Sequence, residues 1–198
     1  MGKILFTSSG LSTNSIKEKF LELLIDSPTN LKVGIITTAS DKKADNKYAR
    51  RARTDFLAMG FNKVEFIDVE FDDIERLEEC NVIYINGGNP FYLLYHLKNS
   101  GADKKLKALS EGNVILIGVS AGAVILGPDI SIVDFFTPHL NTVNLKDLTG
   151  LKITDNIVFP HYDREDLFPS SLSIEERILK YEAVYQKKVL RIADDDAI

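Results

Sequence analysis

The chain has 198 residues, 44% of them hydrophobic and 27% charged, with a formal net charge of −5. That length predicts a single domain over residues 1–198, large enough to bury about 70% of its unfolded surface. Interspersed basic and acidic residues leave no basic face for nucleic acid, and no apolar stretch approaches the roughly 20 residues that cross a bilayer. The opening apolar run is too short for a secretory signal, and one cysteine, Cys80, excludes an internal disulfide framework. A reducing cytoplasm is the expected location.

Strands and helices alternate from the first residues. Lys3–Thr7 reads as a strand, followed by Ser8-Ser9-Gly10 and a helix from about Ser15 to Ile25. Lys32–Thr37 is the next strand, with a polar turn through Ser40 and Asp41 and a helix over about Ala44–Met59, ended by Gly60. The arginines of that helix, Arg50, Arg51 and Arg53, read as a solvated face from which one could reach a site. Val64–Ile67 is a short strand and Ile74–Glu79 a short helix. Val82–Ile85 leads into Asn86-Gly87-Gly88-Asn89, where Asn89 caps a helix opened by Pro90 and running to about Lys98. A helix over Asp103–Ser110 precedes the strand Val114–Ile117.

After that strand the alternation lapses. Residues 127–150 read as an irregular segment or hairpin lying over the site. Ile153–Phe159 reads as a strand ending in Pro160-His161. A helix over Ser173–Gln186 and a strand over Val189–Ile192 close the chain. This rhythm predicts an α/β fold, a doubly wound and mostly parallel sheet with helices on both faces.

The apolar run Val114–Ile117 meets Gly118-Val119-Ser120-Ala121-Gly122, a G-x-S-x-G pattern followed by small residues. Between a strand and a helix this is a nucleophile elbow, in which tight backbone packing demands small neighbours and exposes the serine. The Ala121 N–H, at a helix start, can point at an oxyanion. In open α/β sheets ligands bind outside the carboxyl ends of the strands. Ser120, Gly87-Gly88-Asn89 and His161 each follow a strand directly, so they share one edge, with Ser8 and Ser40 beside them.

A serine hydroxyl needs a base. His161 stands on the right edge and is favoured, while His139 in the irregular segment is the alternative and His96 sits within a helix. The base needs an orienting carboxylate. Asp134, set among Ile132-Val133 and Phe135-Phe136, is favoured for that place, with Asp163, Glu165 and Asp166 as competitors. Cys80 precedes its strand, on the wrong edge for a nucleophile. The group His161, Asp163 and Asp166 lacks a second histidine or cysteine at ligand spacing, so no metal is expected. Neither G-x-G-x-x-G nor a Walker pattern occurs, and no cofactor is expected.

Four segments together resemble the peptidase E family of serine peptidases, the group of aspartyl dipeptidases and cyanophycinases. They are Ile85-Asn86-Gly87-Gly88-Asn89 with Leu93-Leu94, the elbow Gly118–Ala123, Pro160-His161-Tyr162-Asp163, and Glu175-Glu176-Arg177-Ile178. The resemblance is strong over about residues 80–180 and weak before them. It implies a fold like that of class I glutamine amidotransferases, with serine in place of their cysteine. It also implies Ser120 as nucleophile, His161 as base, and the N–H groups of Gly88 and Ala121 as the oxyanion hole, with Gly87 and Asn89 beside the substrate. The third triad member in that family falls shortly after the elbow, the neighbourhood of Asp134. One departure stands out: where the aspartyl dipeptidases carry an arginine before this last motif, the chain has Ile174, which cannot pair with an acidic side chain.

The expected activity is therefore that of a serine peptidase acting on short peptides. The competing expectations are an esterase or amidase on other acyl substrates, and a binding protein that keeps the elbow for packing. A homodimer is compatible with the sequence but not derivable from it.

Overall fold

A computed structural model describes residues 2–198. Five parallel strands form the main sheet in the order β1-β5-β4-β2-β3. They are β1 (Lys3–Thr7), β2 (Lys32–Ile36), β3 (Lys63–Ile67), β4 (Val82–Ile85) and β5 (Ile115–Val119). β4 and β5 are buried along their whole length, as continuous apolar strands covered on both faces should be. β3, with Lys63 and Glu65, forms an exposed edge.

Helices cover both faces. On one face α1 (Asn14–Glu22) and α2 (Lys47–Ala58) bury Ile16, Phe20, Ala52 and Phe56 against Val33, Ile35, Val82 and Tyr84. On the other, α3 (Pro90–Ser100), α4 (Ala102–Ser110) and α5 (Ala121–Ile125) pack against Ile36, Ile83, Ile85 and Leu116. The doubly wound α/β architecture is thus the one expected. Asn89 caps α3 through bonds from the Phe91 and Tyr92 amides, and Gly101, at φ 80°, ends it in the left-handed region.

The last third of the chain differs from expectation in two places. Residues 127–150 are not a plain hairpin: their ends close through an antiparallel bridge between Asp129 and Thr149, but they hold a helix, α6 (Ser131–Phe136), and a 3-10 turn, Pro138–Leu140. The expected strand over Ile153–Phe159 begins only at Ile157, because the Ile153 and Thr154 amides are bonded to the Leu126 carbonyl at the end of the elbow helix. The strand that does form, β6 (Ile157–Pro160), pairs in parallel with β7 (Val189–Ile192) as a separate two-stranded sheet. α7 (Ile174–Tyr185) connects them and opens on a capping box between Ser173 and Glu176.

Two contacts tie this small sheet to the large one. The Phe6 and Ile198 backbones exchange hydrogen bonds of 2.8 and 3.0 Å, laying the chain end along edge strand β1. The buried Ser8 hydroxyl donates to the Ile192 carbonyl at 2.8 Å and accepts from the His161 amide at 2.8 Å. The carboxyl ends of β6 and β7 are thereby brought to the carboxyl end of β1. No helix among the described residues is long and apolar enough to cross a membrane.

Candidate active site

A cavity of about 780 Å³ opens at the carboxyl ends of the main strands. Ser8, Ser40, Gly87, Gly88, Ser120 and His161 all line it, so the residues expected on one edge do gather there. Ser120 sits between β5 and α5 at φ 50° and ψ −112°, a backbone region that non-glycine residues rarely occupy. Such a conformation costs about 1–3 kcal/mol and persists only where its surroundings enforce it. Here the Ser120 amide is bonded to the Thr7 carbonyl at 3.0 Å, and the Ser120 carbonyl accepts from Ala123 and Val124. Gly122 lets the elbow lie directly on β4, since a Cβ at that position would fall 2.1 Å from the Ile85 carbonyl oxygen.

The Ser120 Oγ lies 2.9 Å from His161 Nε2. His161 is the first residue after β6 and also has a left-handed backbone, φ 59°. Its other ring nitrogen, Nδ1, is 2.5 Å from Asp194 Oδ1. An N–H at Nδ1 donating to the carboxylate leaves Nε2 free to accept the serine proton. Burial works to raise the Asp194 carboxyl, but hydrogen bonds from His161 and then Arg164 outweigh it and hold that carboxyl below the usual range.

Asp134, the carboxylate favoured from sequence, does not meet His161. It is half-buried on α6 and makes no side-chain hydrogen bond among the described residues. The helix explains why. Ile132 and Phe136 stand four residues apart and turn inward, so the residue midway between them faces away from the core. The competitors are also engaged elsewhere: Asp163 accepts the Asp194 amide at 2.9 Å, Glu165 accepts the Ile174 amide, and Asp166 is paired with Arg164.

Asp194 escaped the sequence reading because it opens the run Asp194-Asp195-Asp196 near the chain end, which resembles a solvated acidic tail. A usable signal was present. The strand-end rule that selected Ser120 and His161 applies equally to β7, whose end is followed by Ala193-Asp194. In the β6–β7 register Pro160 faces Ile192, so His161 and the Ala193-Asp194 segment leave the small sheet at the same end.

The glycine turn after β4 lies against the elbow. Gly88 has φ 148°, and a Cβ on it would strike the Ala39 carbonyl oxygen at 2.3 Å, so only glycine fits. The N–H groups of Gly87, Gly88 and Ala121 have no acceptor among the described residues. Asn89 lines the cavity too, but its side chain is committed: Oδ1 caps α3 and Nδ2 donates to the Leu140 carbonyl at 2.7 Å.

Other candidates lie apart. His139 is exposed in its 3-10 turn, and His96 packs on Tyr92 with ring centroids 4.3 Å apart. Cys80 is buried beside β2, and burial pushes its thiol up to about 11. Arg51 is the member of its helix face that reaches the cavity wall. Ile174 is 1% exposed in the core, and Arg177 of the same helix stacks on Phe136 at 3.9 Å.

A serine oxygen, an imidazole and a carboxylate in series at the carboxyl rim of a parallel sheet define a class, the serine hydrolases built on α/β sheets. Within that class the chain is a serine-type peptidase: it belongs to peptidase family S51, whose family model matches residues 4–198. It is 31% identical over 158 residues to an uncharacterized peptidase of Listeria monocytogenes, covering 76% of each chain. A second uncharacterized peptidase, from Pasteurella multocida, is 31% identical over 136 residues, covering 67% of this chain and 66% of the other. The fold matches a crystal structure described as a candidate peptidase E protein from Listeria monocytogenes, with a TM-score of 0.77, 25% identity, and coverage of 100% of this chain and 93% of that one. A peptidase structure from an acI-B1 Actinobacterium shares the fold at a TM-score of 0.72 and 18% identity, over 100% and 82% of the two chains.

Proposed function

We propose that this peptidase hydrolyses short peptides, as a single domain, through an acyl-enzyme on Ser120. The observation that carries the reading is the 2.9 Å contact between Ser120 Oγ and His161 Nε2, with Asp194 on the far side of the ring. Ser120 attacks the scissile carbonyl carbon while His161 Nε2 takes its proton. Asp194 holds the tautomer that makes this transfer available and stabilises the imidazolium that forms. The oxyanion develops beside the Gly88 and Ala121 N–H groups, which have no acceptor among the described residues. Each such donor is worth about 10²–10³ in turnover.

Collapse of the tetrahedral intermediate breaks the C–N bond, and the imidazolium protonates the departing amine. Water, deprotonated by the same imidazole, then attacks the ester and returns the serine. A cavity of about 780 Å³ suits a short peptide. One cysteine among 198 residues suits the reducing cytoplasm.

The test is labelling by a fluorophosphonate followed by peptide mass spectrometry. Wild type should carry the label on Ser120, and His161→Ala should react slower by about 10³-fold or more. Equal labelling of Ser120→Ala and wild type would refute the assignment.

A further inference from the structure

Asp194 has two carboxylate oxygens, and the reaction uses one of them. Oδ1 faces His161, whereas Oδ2 is held by Arg164 Nη1 at 2.9 Å. The remaining face of the guanidinium is a fork on Asp166, with Nε donating at 2.8 Å and Nη2 at 2.7 Å. Arg164 reaches this place because the left-handed His161 starts a turn, closed by the bond from the Arg164 amide to the His161 carbonyl at 3.0 Å. The backbone beside it is fixed as well, through the Asp194 amide on Asp163 Oδ1.

We infer that Arg164 is a positioning residue for the reaction at Ser120, fixing the Asp194 carboxylate that orients His161. The inference rests on the proposed roles of Ser120, His161 and Asp194. Two features support it. An arginine in a fork between two carboxylates is directionally fixed in a way that a lone surface pair is not. The local charge also argues against a second role as receptor for a substrate carboxylate, since two carboxylates, Asp166 and Asp194, already share the one guanidinium. That neighbourhood repels an anion.

The sign of the charge effect follows from the groups present. Asp194 is faced by His161, Arg164 and the Ser9 hydroxyl. Asp163 stands on its amide, Asp166 lies behind Arg164, and Asp41, Arg51 and Asp55 line the more distant cavity wall. Deleting the positive charge nearest to Oδ2 makes protonation of the Asp194 carboxylate easier. The acidic limb of the kcat/KM profile should therefore move to higher pH.

The experiment compares wild type, Arg164→Met, Arg164→Lys and Asp166→Asn. Kinetics use a chromogenic short peptide, and carbon-13 NMR follows the Asp194 carboxyl in the same proteins. Arg164 is 40% exposed, so its loss should leave the fold intact, which a melting curve checks. For Arg164→Met we expect kcat to fall about 10–100-fold with KM nearly unchanged. The acidic limb and the Asp194 titration should both move up, by about half a pH unit or more. Arg164→Lys should restore the position of the limb but only part of kcat, and Asp166→Asn should have the smaller effect.

A rise in KM alone, or an unmoved limb and carboxyl in Arg164→Met, would overturn the inference. The NMR arm separates this failure from that of the activity itself. An Asp194 titration that moves while no variant, wild type included, cleaves the short peptide would uphold the Arg164–Asp194 coupling and reject the proposed hydrolysis of short peptides.

Discussion

The Ser8 hydroxyl and the His161 amide, 153 positions apart in sequence, are joined by a 2.8 Å hydrogen bond, with Ser8 as acceptor. The same hydroxyl donates to the Ile192 carbonyl. One buried oxygen thus pins the ends of β6 and β7, which carry His161 and Asp194, to the end of β1. Ser8→Ala leaves the His161 amide without that acceptor and removes a donor from Ile192. The expected cost is about 1–3 kcal/mol by urea unfolding. Because His161 is then free to drift, kcat/KM should fall about tenfold or more.

Asp194 and Asp134 make opposed predictions. Asp194→Asn, with its amide oxygen kept on Arg164, turns an N–H donor toward His161 Nδ1 and favours the wrong tautomer, so kcat should fall by about 10³–10⁴. Asp134→Asn, on the outward side of α6, should leave kcat within about twofold and stability within about 0.5 kcal/mol. Kinetics of the two variants on one peptide decide between the carboxylates.

These two residues also mark where the sequence was legible. β1, β4 and β7 were readable to their end residues, because each is a short apolar run bounded by polar or turn residues. Ser120 and His161 could be placed on one rim because both follow such runs directly. Asp134 drew attention through its apolar neighbours, a pattern that a helix satisfies by turning them inward and the carboxylate outward. Asp194 was hidden by the opposite effect, since a charged run near a chain end looks solvated until strand pairing sets it beside the imidazole. The late start of β6 has a similar origin: Ile153 is apolar, but its amide is taken by the elbow helix.

The elbow makes a steric prediction. In Gly122→Ala the new Cβ would meet the Ile85 backbone oxygen, which cannot rotate away as a flexible side chain could. β4 and α5 must then separate, at a cost of about 1–3 kcal/mol or more. Fluorophosphonate labelling of Ser120 should drop with the melting temperature.

The small sheet makes a pH prediction. Glu182, 9% exposed, accepts from Arg191 at 2.8 Å and from the Val189 amide at 2.9 Å. The Arg191 bond is the main reason its carboxyl lies below the usual range, and the Val189 amide adds to it. A lowered folded value gives stability that is present above the unfolded value, about 4.3, and is lost as pH falls through the folded one. Glu182→Gln should cost about 1–3 kcal/mol at pH 7 and flatten the acid side of the stability curve. Melting curves between about pH 2 and pH 7 measure both effects.

The most direct test of the Ser120 chemistry is the rate at which wild type and Ser120→Ala hydrolyse the members of a dipeptide and tripeptide library. Wild type should turn over at least one member, and Ser120→Ala should lose that turnover by a factor on the order of 10⁶. Equal rates in the two proteins would contradict the assignment of Ser120 as nucleophile.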